Sequence, residues 1–297
     1  MKLAVIGGAG FLGSHLVSAC EAGGIDAVSL DIVPGRGRHV VGDAFDADTL
    51  KSVIEGADAV WIRAGMLGGR SSTDVGAAAE YLRRNTELPR LVLEACDALR
   101  CRTVLFDSTE QVFGTSGDLE RQDAWAEPRA ASFYGASKAI TEKMIRLWSA
   151  AGDGRSAQIF RYSRVRAGAT KDVLYWMTAN ALAGKPIRIM GNPAHRVSFV
   201  HVEDVIAANL RALERRPRYA IYNVSCDRPF SLFGLAQLVQ AVTGRSAPLQ
   251  FEAPESWPDF EPFVVGMEWE ESAAVLGMRP RWSTAAMIAE TAALIEQ

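Results

Sequence analysis

A strand, three glycines at intervals of three, a helix, a second strand and a terminal acid fill the first thirty-one residues and restrict this chain more than anything else in it. Lys2 to Ile6 is a short apolar, β-branched run of the kind buried in parallel sheets. It leads into Gly7-Gly8-Ala9-Gly10-Phe11-Leu12-Gly13 and an apolar pattern of helical period from Phe11 to about Ala22. Ala27 to Leu30 repeats the strand pattern and ends on Asp31. Each part suits the binding of a dinucleotide. Gly7 permits a tight turn, Gly10 lets the backbone approach a pyrophosphate, and Gly13 lets the helix pack closely on the strand. The free N–H groups at the helix start, around Phe11 and Leu12, face the phosphates. Asp31 is placed to accept from both ribose hydroxyls of an adenosine, and its charge repels a 2′-phosphate. NAD is therefore expected over NADP, with Arg36 and Arg38 keeping NADP as an alternative.

A glycine triplet alone is weak; the ordered set of strand, triplet, helix, strand and acid is strong. Two other readings exist. The glycines can be ordinary turn and packing residues. The segment also resembles a secretory signal, with Lys2, an apolar run and Val17-Ser18-Ala19-Cys20. Against export, His15 interrupts the apolar run, and cleavage would remove the first strand.

At 297 residues the chain holds one large α/β domain or two smaller ones. The expected division is a dinucleotide-binding domain over residues 1–166, with residues 197–228 returning to it, and a smaller lobe built mainly from 167–297. A net charge of −3 implies no nucleic-acid partner, and no apolar stretch is long enough to span a bilayer. Cys20, Cys96, Cys101 and Cys226 lack metal-ligand spacing and read as small semi-buried residues in a reducing, cytoplasmic setting; no metal is expected.

After Arg38–Val41, a short strand, comes Gly42-Asp43-Ala44 at a strand end, the edge where ligands collect. Asp43 is placed either to accept from an adenine amine or to start a turn. The strand 58–62 ends in Arg63-Ala64-Gly65, where Ala64 and Gly65 let a cofactor lie against the backbone. Residues 66–78 read as a mobile loop over the site. Residues 79–99 read as a helix kinked near Pro89, with Asn85 either tying neighbouring backbone or lying on the surface. The strand from Arg102 ends in Asp107-Ser108-Thr109-Glu110-Gln111-Val112-Phe113-Gly114. Phe133-Tyr134-Gly135-Ala136-Ser137-Lys138 then opens a long helix. Tyr134 and Lys138 share a helix face one turn apart. An ammonium near a phenol favours the phenolate and lowers its pKa from about 10. Such a tyrosine takes a proton from a substrate alcohol while hydride leaves the same carbon, and a hydroxyl from Thr109 or Ser108 holds the alcohol oxygen. Otherwise the two residues are a solvated helix pair.

With these residues in view, the chain resembles the extended short-chain dehydrogenase/reductases, in their NAD-dependent epimerase/dehydratase branch. GGAGFLGS, DSTEQVFG, YGASK, FVHVEDV and YNVS occur in the family's order and span nearly the whole chain. The resemblance implies a Rossmann-like doubly wound parallel sheet with a smaller C-terminal α/β lobe for substrate, and NAD as cofactor. It implies Tyr134 as catalytic acid/base, Lys138 as pKa modulator and nicotinamide-ribose ligand, Thr109 as hydroxyl partner, and Tyr162 near the nicotinamide. It also suggests a homodimer through the helices at 79–99 and 133–150.

Departures from the family pattern narrow the function. The acid–acid pair of the sugar-nucleotide 4,6-dehydratases is Glu110-Gln111 here, and an amide cannot abstract a proton from carbon. Glu110 retains the capacity to act as an acid. The arginine that usually grips a diphosphate four residues before His201 is Val197, with Arg196 one residue earlier and so on the other face of a strand. Arg164 replaces an asparagine, within a cluster of Arg161, Arg164 and Arg166. These arginines either bind phosphate in a rebuilt pocket or are solvated. Trp257 and Phe260 either stack on a sugar or base, or pack as core or lid. The expected function is an NAD-dependent sugar epimerase, of a nucleotide sugar most readily, working by transient oxidation of a secondary hydroxyl. The alternatives are an NAD(P)-dependent reductase or dehydrogenase of a sugar or other secondary alcohol, and a catalytically silent dinucleotide sensor.

Overall fold

The computed structural model describes residues 1–69, 72–114, 121–252 and 266–297. The chain begins with β1 (Lys2–Ile6), α1 (Phe11–Ala22), β2 (Asp26–Asp31), β3 (Arg38–Val41), α2 (Ala47–Ile54) and β4 (Ala59–Ile62). Next come α3 (Ala78–Leu82), a π-turn over Arg83–Glu87, α4 (Leu88–Leu99), β5 (Thr103–Thr109), β6 (Arg121–Gln122), α5 (Phe133–Ala150) and β7 (Ser156–Tyr162). The remainder is β8 (Arg164–Arg166), α6 (Val173–Leu182), β9 (Ile187–Met190), β10 (Arg196–Val197), β11 (Phe199–His201), α7 (Val202–Leu213) and β12 (Tyr219–Val224). It closes with β13 (Phe230–Ser231), α8 (Leu232–Thr243), β14 (Leu249–Glu252), β15 (Gly266–Met267), α9 (Glu270–Leu276) and α10 (Thr284–Ile295).

Seven strands form a parallel sheet in the order β12-β7-β5-β4-β1-β2-β3. Parallel strands need helical crossovers, so helices cover both faces and the central strands β4, β5 and β7 are buried along their whole length. Alternation divides β1 between the two cores. Ala4 and Ile6 face the cluster that includes Val53, Val92 and Ile145; Leu3 and Val5 face the one that includes Leu16, Val205 and Ala208. The strand order reverses between β4 and β1, so a crevice opens beyond their carboxyl ends. The expected doubly wound sheet is thus present, and β12 forms its edge beside β7.

A third cluster joins α6, α8 and α10 through Leu174, Met177, Leu235, Val239, Met287 and Ile288. β9 pairs with β14 beside it. The single strand expected from Val197 to His201 is split. β10 runs antiparallel to β13, whereas β11 runs parallel to β8, so Ser198 falls between two pairings with different partners.

The helix expected at 79–99 is continuous in path but not in hydrogen bonding. Pro89 has no N–H, and in an α-helix its ring would meet the carbonyl of Asn85. The chain accommodates this by widening to a π-turn at Arg83–Glu87, which places Asn85 inside with no exposure. The expected mobile loop is tied down where it is described. Met66 N–H donates to Asn85 Oδ1 at 2.7 Å and Asn85 Nδ2 donates to Met66 O at 2.9 Å. Phe133 N–H donates to Ser72 O at 2.7 Å. No helix among the described residues is long and apolar enough to cross a membrane. All four cysteines are free and buried.

Candidate active site

The crevice at the β1–β4 switch encloses about 300 Å³. Gly7, Gly10, Asp31, Asp43, Ala44, Ala64 and Gly65, all singled out by sequence, line it together. Gly7 has φ +98°, and a Cβ there would stand 2.4 Å from Ala64 N, so the turn admits only glycine. Gly13 does not line the crevice. A Cβ on it would fall 2.1 Å from Gly7 O, which shows its part in seating α1 on the turn. Phe11 and Leu12 also lie outside the lining; Phe11 opens α1 with its ring 46% exposed and edge-on to His15. Asp31 Oδ2 accepts from Ala9 N–H at 3.0 Å and Oδ1 from Ile32 N–H at 2.8 Å, which locks the carboxylate at the mouth. Asp43 Oδ1 accepts from Phe45 N–H at 3.0 Å, so the turn-forming role is present. The glycine cradle, the locked acid and the helix start fit the adenosine diphosphate half of a dinucleotide.

The catalytic candidates meet one step along the same sheet edge. β5 delivers Thr109 and α5 delivers Tyr134, and the Thr109 side chain favours the ionised form of the phenol. Thr109 Oγ1 also accepts from Gln111 N–H at 3.3 Å, fixing the turn after the strand. Lys138 Nζ donates to the Asp107 carbonyl at 2.9 Å and lies 4.7 Å from the centre of the Phe106 ring. Gly65 joins the cofactor crevice to this group: a Cβ there would lie 2.6 Å from Asn85 Oδ1 and 3.5 Å from Lys138 Nζ. Gly65→Ala is expected to weaken NAD affinity about tenfold or more by overpacking this junction, measured by calorimetric titration.

The expected acidification of Tyr134 by Lys138 is absent in the free protein. Burial pushes the phenol up to about 12, the Thr109 hydrogen bond opposes this, and the Asp107, Tyr81 and Glu110 charges add to the rise. Burial brings the Lys138 ammonium down to about 8 against the pull of Asp107 and Glu142. One of its donors is taken by the Asp107 carbonyl of β5. Glu110 follows Thr109 in a short 3₁₀ turn and is buried, with Oε2 lacking a hydrogen-bond partner. Burial raises its carboxyl from 4.5 to about 7, moderated by Arg164. Unfolded, the group ionises near 4.5; folded, it holds its proton to about 7. Its stabilising contribution is therefore full below pH 4.5 and lost as pH rises to about 7. Glu110→Gln is expected to raise the melting temperature relative to wild type at pH 8 but not at pH 4, with a free-energy bound of about 3 kcal/mol.

Several sequence-derived candidates do other work. Ser108 points to the face opposite Thr109, and its hydroxyl donates to Glu142 Oε1 in a buried site, so it does not hold the substrate oxygen. Arg161 is 1% exposed and bonds Glu142 at 2.6 Å and 3.0 Å. Arg166 is fully buried against Asp172 at 3.2 Å and Thr291 at 3.0 Å, which ties α10 to β8. Of the three arginines, Arg164 alone is exposed. Arg196 is half-buried on β10, and Val197 beside it is in the lobe core, as the one-residue shift requires. Tyr162 is 4% exposed, and its hydroxyl lies between Asp107 Oδ1 at 3.1 Å and Asn209 Nδ2 at 2.9 Å, so it points under the sheet edge rather than into the crevice. His201 caps α7 and stacks on Trp282 at 3.9 Å, as a structural residue does. Trp257 and Phe260 lie outside the described residues.

Sequence reasoning missed Arg63, Arg83, Arg84 and Phe45 as crevice-lining residues. The π-turn swings Arg83 over the Phe45 ring at 4.1 Å. Arg63, two residues beyond Trp61 on the same face, was legible only as a strand end.

With this geometry in hand, the comparisons with known proteins agree in direction. The model of the NAD dependent epimerase/dehydratase family matches residues 3–225. A UDP-glucose 4-epimerase of Azospirillum brasilense is 30% identical over 282 residues, which cover 84% of this chain and 80% of that protein. A 4-hydroxy-2-methyl-3-oxo-4-farnesyl-3,4-dihydroquinoline-1-oxide ketoreductase of Stigmatella aurantiaca is 28% identical over 83% of this chain and 75% of its own length. The solved structure of MoeE5 in complex with UDP-glucose and NAD superposes with a TM-score of 0.85 at 24% identity, covering 100% of this chain and 99% of that one, and shows the shared fold. A family match over most of the length, with the glycine turn, Asp31 and the Thr109–Tyr134–Lys138 group in place, makes this chain a member of the NAD-dependent epimerase/dehydratase family.

Proposed function

We propose that the protein is an NAD-dependent epimerase of a nucleotide sugar that inverts a secondary carbinol by oxidising it and reducing it again. The observation that carries this reading is the buried Thr109, Tyr134 and Lys138 group at the sheet edge, joined through Gly65, beside Lys138 Nζ, to the cofactor crevice. Gly7, Gly10, Asp31, Ala64 and Gly65 hold the cofactor, and Lys138 steadies its ribose beside the phenol. NAD, when bound, supplies the ring that accepts and returns hydride, and its positive charge favours the phenolate. Thr109 orients the reacting hydroxyl. Tyr134 takes that hydroxyl's proton as the C–O bond becomes a carbonyl, and returns it to the same oxygen when the carbon is reduced from its other face. The sugar's hydride and proton are both restored, so no outside reductant is consumed.

Residues 167–297 mainly form the lobe that closes over the sugar, with Arg164 and Arg196 available to its anionic half. Glu110 is the buried acid beside the phenol. Leu82, Ile140 and Leu147, each more than two-fifths exposed, support a homodimer through α3–α4 and α5, and the buried free thiols suit the cytoplasm. The ketoreductase relative favours a second reading, net reduction of a carbonyl with cofactor released each cycle. Purified protein is expected to carry NAD at one equivalent per chain and to convert UDP-glucose to its C4 epimer without added cofactor. Protein free of NAD that oxidises NADH in proportion to turnover supports the second reading instead.

A further inference from the structure

Beneath the catalytic edge, on the face of the sheet opposite α5, lies a buried charge pair that the reaction as described leaves without a role. The register pairs Trp61 with Leu105 and Asp107 with Phe160. Alternation therefore brings Arg63, Asp107 and Tyr162 onto one face at the ends of three adjoining strands. Arg63 Nη1 stands 3.1 Å from Asp107 Oδ2, with 1% and 10% of the two side chains exposed. Trp61 Nε1 donates to Asp107 Oδ1 at 2.7 Å, Tyr162 Oη to the same oxygen at 3.1 Å, and Arg63 Nη2 to Asn209 Oδ1 on α7. The guanidinium also lies 4.4 Å from the centre of the Trp61 ring. A burial this complete is costly for two charges, and breaking such a pair is costlier still. The main-chain carbonyl of the same Asp107 is the acceptor that holds Lys138 on the other face.

We propose that Asp107, held in place by Arg63, is a positioning residue that acts through the sheet. Its carbonyl orients the Lys138 ammonium and its carboxylate supplies the counter-charge that keeps Lys138 charged and sets the pH range in which Tyr134 works. The other groups acting on these two are few. Lys138 also meets Glu142 from α5. Tyr134 meets Thr109 and Glu110 from the end of β5 and Tyr81 from α3. Glu110 in turn feels Arg164. Asp107 raises both Lys138 and Tyr134, so loss of its charge moves both midpoints the same way.

The inference rests on the catalytic reading above, and its primary test needs no turnover. In the holoenzyme, the Lys138 Nζ resonance is titrated by ¹⁵N NMR in the wild type, Asp107→Asn, Arg63→Gln and the double variant. Asp107→Asn keeps the carbonyl and is expected to lower the Lys138 midpoint by about one pH unit. Arg63→Gln leaves the carboxylate unopposed and is expected to raise it. The double variant, which removes both charges and guards against a misfolded single variant, is expected to fall between them. Tyr162→Phe, which changes no charge, is expected to leave the midpoint in place. With UDP-glucose, both limbs of the kcat profile are expected to shift down in Asp107→Asn. Equal midpoints in Arg63→Gln, the double variant and the wild type overturn the inference. Retained turnover in Tyr134→Phe overturns the catalytic reading, which is a separate result.

Discussion

Tyr134→Phe is expected to lower kcat by about 10²–10⁴-fold while NAD content and melting temperature stay near those of the wild type. The substitution removes one oxygen. The ring remains packed 6.0 Å from Tyr81, and the backbone of α5 keeps its Ser132 cap, in which Gly135 N–H donates to Ser132 Oγ at 3.0 Å. What is lost is the group able to accept a proton from the carbinol at the moment hydride departs. Rates of UDP-glucose conversion, beside spectrophotometric NAD content, read the two effects separately. A sensor without chemistry would show no change in any readout. The phenol's rise to about 12 in the free protein adds a condition. The base becomes available only when cofactor fills the crevice, so Tyr134 reactivity at neutral pH is expected to depend on NAD.

Glu142→Ala is expected to destabilise the fold by about 3–5 kcal/mol, because it strands the Arg161 guanidinium inside the protein. Glu142 and Arg161 are 3% and 1% exposed. The fork between them is bidentate, and the Ser108 hydroxyl completes the carboxylate's coordination. Arg161 also donates to the Ala124 and Ala126 carbonyls at 3.3 Å and 3.4 Å, so the pair fastens the chain after β6 to β7 and α5. Thermal melts are expected to fall by roughly 10 °C. Replacing both partners by leucine and methionine removes the stranded charge and is expected to recover most of the loss. An equal loss in the single and double variants would show that the pair contributes nothing through charge.

The cofactor half of the site was legible because dinucleotide binding constrains backbone. A φ of +98° at Gly7 and contact distances that exclude a Cβ at Gly7 and Gly13 leave a signature in residue type. Tyr134 and Lys138 were legible because helical spacing fixes their shared face. Their electrostatics were not, since burial depends on what covers them: Asn85, Tyr81 and the segment at 66–69, all arranged by a π-turn that one proline forces. Arginines mislead in sequence because their long side chains reach either way. Arg161 and Arg166 read as phosphate ligands or as solvated residues, yet they pair inside the protein with Glu142 and Asp172, whereas Arg83 and Arg84, which no sequence pattern singled out, line the crevice. Ser108 and Thr109 illustrate the same point at its smallest scale. One residue of alternation sends the first hydroxyl to an ion pair and the second to the phenol.

The central claim is that one carbon of the sugar is oxidised and reduced again within a closed site. UDP-glucose carrying deuterium at C4 tests it most directly, in D₂O-free buffer with unlabelled NADH added. The account predicts an epimerised product that keeps its deuterium at C4, with none in the medium or in free NADH. Product that has lost the label to solvent, or label recovered in free NADH, would contradict it.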